Sequence, residues 1–112
     1  MKEKYPLFEK YYKLLDWILD KCEKFPKNVR FTISSKISNI SLDILDYLIE
    51  AIYTKDKLKN LKRINILFEK LRIFIRITHD RKYLSHKQYE YVSKEINVCG
   101  KMVGGWIKSC EE

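Results

Sequence analysis

Apolar residues recur at steps of three and four along most of the chain, which is the spacing of one face of an α-helix. The pattern predicts four helices, at about residues 7–25, 30–53, 55–82 and 86–109. Each helix carries a stripe that needs a partner surface. The apolar residues therefore predict a protein built from helices that cover one another.

Short breaks separate the predicted helices. Pro26 ends the first helix, because the residue before a proline is pushed out of the helical conformation. Thr54 is predicted to cap the third helix, since its hydroxyl can accept an early backbone N–H. Ser85 and Gln88 have the spacing of a capping box and are predicted to open the fourth helix.

Four long helices joined by short turns run alternately up and down. Their stripes can be buried only against one another, so we predict an all-α, antiparallel up-down-up-down four-helix bundle, with residues 1–112 as one domain. The chain has only three Gly and two Pro. A β-sandwich or barrel needs turn residues every 8–12 positions, so this composition excludes one.

The net charge of +8 is concentrated in one segment. Residues 54–83 carry ten basic and three acidic side chains, whereas the rest of the chain is close to neutral. Such a surplus favours an anionic partner, and a phosphate backbone is the most general one. The alternative is a solvated face with local ion pairs, such as Glu69 with Arg72 and Asp80 with Arg76.

The third helix has a second apolar stripe. Its core stripe comprises Leu61, Ile64, Phe68, Leu71, Ile75 and Thr78. Ile66, Ile73 and Ile77 lie on a different face, between basic residues. An apolar strip rimmed by charge is typical of a protein interface, so we predict that these three residues join subunits of a homo-oligomer. The alternative is that helix curvature brings part of this stripe into the core of the subunit.

Chemistry typical of enzymes is absent from the sequence. No nucleophile elbow, phosphate-binding loop, dinucleotide fingerprint or paired-carboxylate motif occurs, and we expect no enzyme, metal or cofactor. His79 and His86 lack cysteines at ligand spacing, and His79 is predicted to be a structural, hydrogen-bonded histidine. The spacing of Gly100 and Gly104 predicts a close helix approach.

Cysteine usage and hydropathy bear on the compartment. The three cysteines are widely spaced and form no CxxC pair, which favours reduced thiols and a cytoplasmic protein. Uncharged runs reach only about six residues, against about 18 for a membrane span. No apolar segment typical of a secretory signal follows the N-terminus. We therefore expect a cytoplasmic protein without a membrane partner.

Several segments together resemble one family. They are residues 25–33 (FPKNVRFTI), 48–53 (LIEAIY), 71–77 (LRIFIRI), 83–85 (YLS) and 89–108, which end in GKMVGGWIK. Their order and spacing resemble the accessory variability determinant (Avd) family of diversity-generating retroelements. The related four-helix proteins encoded in ribosomal RNA intervening sequences share the fold and part of the pattern.

The resemblance implies a non-catalytic accessory subunit that forms a homopentameric barrel. It implies binding to a reverse transcriptase and to template RNA or DNA with little sequence preference, in support of mutagenic cDNA synthesis. The alternative is an intervening-sequence-type interaction protein with no polymerase partner. Arg72 and Arg76 match the family's LRxxxR-type segment, whereas Arg30 is expected to fix a turn or a subunit contact. The predicted nucleic-acid or partner contacts are Lys59, Lys62, Arg63, Lys70, Arg72, Arg76 and Arg81.

Overall fold

The computed structural model describes residues 5–111 and contains four long helices. They are α1 (Pro6–Lys24), α2 (Ser35–Tyr53), α3 (Lys57–Asp80) and α4 (His86–Glu111). Between α1 and α2 the chain forms a 3₁₀ turn at Lys27–Val29 and a π turn at Arg30–Ser34. No strand occurs in the part of the chain that the structure describes, so the predicted all-α class is confirmed.

Each helix packs against the next one along the chain, and α4 returns to pack against α1. The result is a four-helix bundle with extents of 45 × 24 × 23 Å. Tyr11 is buried in the core of the bundle. Its ring centre lies 5.8 Å from that of Phe68, with the two rings edge to face. Its hydroxyl donates to the carbonyl of Ser41 over 2.7 Å. Within residues 5–111 no helix combines the length and the apolarity that crossing a bilayer requires.

The connection from α1 to α2 differs from the predicted start of a second helix at residue 30. Phe25 is extended, with φ −67° and ψ 161°, as the following proline requires. The chain then turns through the 3₁₀ and π turns, and regular α-helix begins only at Ser35. A π turn holds one extra residue relative to an α turn, so it changes the direction of the side chains before Ser35.

The connection from α2 to α3 corrects the predicted role of Thr54. Thr54 follows the end of α2 in an extended conformation and does not cap α3, which begins at Lys57. The ammonium of Lys57 instead donates to the carbonyls of Ala51, Ile52 and Thr54 over 2.7, 3.2 and 2.9 Å. A cation at a helix C-terminus satisfies carbonyls that have no partner within the helix.

The connection from α3 to α4 contains the predicted capping box. The backbone N–H of Gln88 donates to Ser85 Oγ over 3.1 Å, and the N–H of Ser85 donates to Gln88 Oε1 over 2.9 Å. Before it, Lys82 adopts a left-handed φ of 66°. The N–H of Tyr83 then returns to the carbonyl of Thr78 over 2.8 Å, which closes the end of α3.

Candidate nucleic-acid interface

The basic residues of α3 lie on the part of the helix that its neighbours leave uncovered. α3 packs between α2 and α4, and its 24 residues extend for about 36 Å. Six of the seven predicted contact residues are exposed. These are Lys59, Lys62, Arg63, Lys70, Arg76 and Arg81. The fold therefore presents most of the chain's excess charge along one helix.

Few of these charges are neutralised within the subunit. Arg76 has an exposed partner in Asp80, at 3.9 Å, which is a weak interaction because water screens it. Lys59, Lys62, Arg63 and Lys70 form no ion pair with any of residues 5–111. They lie along about three turns of α3. Four free cations on one helix surface match what a polyanion such as a nucleic-acid backbone requires.

Arg72 differs from the other predicted contacts because it is held within the bundle. It is half-buried, pairs with Glu69 on α3, and donates from Nε to Asn97 Oδ1 on α4 over 3.1 Å. Gly100 makes room for it, since a Cβ at that position would lie 2.9 Å from Arg72 Nη2. Arg72 therefore connects α3 to α4, and only part of its guanidinium faces solvent.

The glycines of α4 serve different roles. Gly100 permits the close approach predicted from its spacing, although the group that approaches is the side chain of Arg72. At Gly104 and Gly105 a Cβ would meet no atom of residues 5–111 within 4 Å. The prediction of close packing is therefore wrong for Gly104 within the subunit, because no neighbouring helix passes over it.

Arg81 lies at the end of α3, beside the turn to α4. Its Nε donates to Tyr83 Oη over 3.0 Å, and its guanidinium lies 5.9 Å from the centre of the Tyr83 ring. Arginine is protonated at neutral pH in any case, and the hydrogen bond to Tyr83 raises the pKa of Arg81 further. Tyr83 in turn packs on Phe25 at 5.8 Å, which connects Arg81 to the break between α1 and α2.

The second apolar stripe of α3 lies mostly outside the core of the subunit. Ile66 is 51% exposed and Ile73 is 61% exposed, whereas Ile77 is half-buried. The core stripe is covered by α2 and α4, which lie on the other side of α3. The bundle thus leaves two large apolar side chains between the basic residues, each only partly covered by residues 5–111.

The two histidines lie together where α3 ends and α4 begins. The ring of His79 stacks on Tyr89 at 4.2 Å, and its Nε2 lies 3.4 Å from Nδ1 of His86. His86 also pairs with Glu90 at 2.8 Å. These contacts agree with the structural, hydrogen-bonded role predicted for His79. Across residues 5–111 no three His, Cys, Asp or Glu side chains form a group that could hold a metal ion.

The cysteines are free thiols in different environments. Cys22 and Cys99 are buried and Cys110 is exposed. Burial raises the pKa of Cys22, and it raises that of Cys99 to about 11. A thiol with a raised pKa stays protonated and is a poor nucleophile at neutral pH. Cys22 and Cys99 therefore act as core residues.

Phe31 is a surface residue that the sequence analysis missed. It lies in the π turn and is 87% exposed, more than any other large apolar residue described. The sequence contained an indication of this, because Phe31 lies outside the stripe formed by Ile33, Ile37, Ile40 and Ile44. An aromatic residue outside the core stripe of a helix has no place in the core.

The fold and the charge define a class of small all-helical proteins that carry most of their excess positive charge on one helix. A model of the bAvd-like family matches residues 7–110, and the chain belongs to that family. The resemblance to the Avd family found in the sequence motifs is thereby confirmed, and the chain is an Avd-type accessory protein. No curated protein matches the chain at a significant level.

Proposed function

We propose that this chain is the accessory subunit of a diversity-generating retroelement, and that it binds the reverse transcriptase and the template RNA or DNA through α3. The observation that carries the proposal is the set of four cations, Lys59, Lys62, Arg63 and Lys70, that no residue among 5–111 neutralises. Membership of the bAvd-like family supports the retroelement context.

The mode of nucleic-acid binding follows from the kind of side chain. Three of the four cations are lysines, which are point charges on flexible stems, and contacts of such charges to phosphates supply affinity without sequence preference. Each phosphate contact releases counterions from the nucleic acid, which makes binding weaken as salt rises. The proposed template contact is therefore electrostatic, and Arg72 contributes mainly by fixing α3 against α4.

Association of several copies is part of the proposal. Ile66 and Ile73 supply an apolar strip between the basic residues of α3. Burying such a side chain is favourable by about 1.5–3 kcal/mol, so covering the strip with a second copy is a gain in free energy. The Avd resemblance suggests a pentamer, with a mass of about five times 13.6 kDa.

The test compares two sets of three basic residues that lie on different helices. The first variant replaces Lys59, Arg63 and Lys70 by Ala. The matched control replaces Lys87, Lys94 and Lys101 by Ala, which removes the same charge from the solvent face of α4. Binding of a fluorescent single-stranded RNA is measured from low to high salt, and reverse-transcriptase binding is measured by co-purification.

The α3 variant is expected to lose RNA affinity and to flatten the plot of log K against log salt by about 2, since each single-strand contact contributes about 0.7. The α4 variant is expected to change the plot by less than half of that. Equal effects of the two variants would contradict the proposed face, because they would show that only total charge matters. A chain that binds neither RNA nor polymerase would instead favour the intervening-sequence-type role.

A further inference from the structure

A second candidate site lies at one end of the bundle, between the end of α1 and the start of α2. It is a cavity of about 700 Å³. Its wall combines two phenylalanines, basic side chains and hydroxyl groups. The residues used below are Phe31, Lys27, Arg30, Ser34, Ser35 and Ser38. This mixture of an aromatic surface, cations and small donors differs from the α3 surface, where cations alternate with isoleucines.

The charge of this cavity is positive. Lys24, Lys27 and Arg30 line it, against one acid, Glu23. Lys24 is engaged with Asp20 at 3.1 Å, whereas Lys27 and Arg30 have no ion pair with residues 5–111. Arg30 was predicted to fix the turn or a subunit contact. Its guanidinium makes no hydrogen bond or ion pair within residues 5–111, so it does not fix the turn in that way, and it is available to an anion in the cavity that it lines.

A buried hydroxyl in the wall has no partner. Ser34 is only 7% exposed, and its Oγ makes no hydrogen bond with the described residues. Buried polar groups are nearly always hydrogen-bonded, so one that is not requires an explanation. Ser34 Oγ is shielded from solvent, so its hydroxyl reaches a phosphate oxygen in the cavity only when the side chain rotates. Ser35 and Ser38 place two further hydroxyl-bearing side chains in the same wall.

The aromatic side of the cavity is formed by Phe31. Its ring is 87% exposed and makes no ring contact among residues 5–111. The π turn Arg30–Ser34 determines this position, because its extra residue interrupts the α-helical register at Phe31. Exposed aromatic rings beside cations are the usual surface on which an unpaired base stacks.

We propose that this cavity binds a single nucleotide unit, with its base stacked on Phe31 and its phosphate held by Lys27 and Arg30 and, once its side chain rotates, by the Ser34 hydroxyl. The nucleotide is either free or part of a single strand, since both offer the same base and phosphate. The site is separate from the α3 surface. A result that refutes nucleotide binding at this cavity would therefore leave the proposed template contact on α3 unaffected, and the reverse also holds.

The test titrates the full chain with adenosine 5′-monophosphate, adenosine, inorganic phosphate and an eight-nucleotide single strand, and follows the backbone amide resonances by NMR. Binding at the site predicts shifts at residues 24–38 with the monophosphate or the strand. If both the monophosphate and the strand shift these resonances, a free nucleotide is enough for binding. If only the strand does, the site binds a nucleotide within a single strand. No shift at residues 24–38 with either would overturn the proposal.

Three variants separate the parts of the site. Phe31→Ala is expected to weaken binding about tenfold through lost stacking, while the control Tyr12→Ala removes an exposed ring on α1 with no effect. Arg30→Gln is expected to weaken binding of the phosphate-bearing probes and leave adenosine unchanged, with Lys94→Gln as its control. If Phe31→Ala and Arg30→Gln both bind the nucleotide as tightly as the parent, the amide shifts do not arise from binding in this cavity and the site is refuted.

Ser34→Ala distinguishes a ligand-binding role from a structural one. Removing a buried hydroxyl that has no partner is expected to leave the thermal midpoint unchanged or raised, and at the same time to weaken phosphate binding several-fold. A lower thermal midpoint with unchanged binding would show that the hydroxyl serves the fold and would remove it from the site. The α3 triple variant should keep nucleotide binding, which separates this result from failure of the proposed function.

Discussion

The two apolar faces of α3 consist of the same kinds of residue and have opposite surroundings. Ile64 on one face is 1% exposed, and Ile73 on the other is 61% exposed. Both recur at helical spacing, and both were visible in the sequence. The difference arises because α2 and α4 pack on one side of α3 only. An apolar stripe thus indicates a helix face that is more stable when it is buried. The packing of the helices decides whether the same subunit buries that face.

The inner face of α3 contributes to the stability of one subunit, whereas the outer face contributes to association between molecules. A side chain on the inner face contributes its burial to the fold of one subunit. A side chain on the outer face contributes only when another molecule covers it, so its contribution depends on protein concentration. Substitutions on the two faces of the same helix therefore test different properties of the protein.

The largest effect is expected on the inner face. Ile64→Ala leaves a cavity among α2, α3 and α4, and should lower the free energy of unfolding by about 2–5 kcal/mol. Urea denaturation followed by circular dichroism measures this loss. The matched substitution Ile73→Ala should change the free energy of unfolding of the isolated subunit by at most about 0.5 kcal/mol. Equal losses would mean that the two faces do not differ as described.

The outer face is tested by association. Ile73→Lys places a charge within the apolar strip, and is expected to shift the light-scattering mass at high salt from the oligomer towards 13.6 kDa with unchanged helix content. Loss of one buried isoleucine, at about 1.5–3 kcal/mol per interface, corresponds to at least a tenfold weaker association. Tyr12→Lys on α1 is the control. If the variant keeps the parent's mass, the apolar strip of α3 is not an interface between copies and faces solvent.

Alkaline pH tests the core that covers the inner face of α3, through Tyr11 on α1 and Cys99 on α4. Burial raises the pKa of Tyr11 far above its usual value and that of Cys99 to about 11. Above pH 9 to 10 the unfolded chain loses these protons while the folded chain keeps them, so the unfolded state binds fewer protons and stability falls as pH rises. Tyr11→Phe should flatten the decline above pH 10 in urea titrations. An unchanged slope would mean that Tyr11 is not responsible.

The smallest effect is expected at the glycines of α4. Gly104→Ala meets no atom within 4 Å and replaces a flexible residue in a helix, so it should stabilise the bundle by about 0.5–1 kcal/mol. Gly100→Ala gains the same helix propensity but places a Cβ against Arg72, and should stabilise less. Thermal unfolding ranks the two. The reverse order would show that Arg72 does not depend on Gly100.

Local features of the structure were largely predictable. The break at Pro26 and the capping box of Ser85 and Gln88 depend on neighbouring residues only, and the sequence contains those. Contacts between distant residues were not predictable in the same way. Arg72 was expected to face a ligand, but its place is determined by Asn97 and Gly100 on another helix.

Of the two candidate sites, the basic surface of α3 was predictable from the sequence and the end cavity was not. Lys59, Lys62, Arg63 and Lys70 were predictable, because polar positions opposite a core stripe are exposed on any bundle helix. The end cavity was not predictable, since Phe31 and Ser34 acquire their roles from a π turn that no periodic pattern indicates. A π turn is rare and usually a single turn, so a three- and four-residue repeat of apolar positions does not indicate where one occurs.

The sequence by itself determined the four helices, their inner faces, the concentration of positive charge on α3 and the likeness to the Avd family. These depend on spacing, composition and short motifs, which are local. Only the tertiary structure decided which α3 stripe is covered, which arginine is held by α4, and that Phe31 and Ser34 line the same cavity. Those outcomes depend on which surfaces come together when the helices pack, and packing brings into contact residues that lie far apart in the chain.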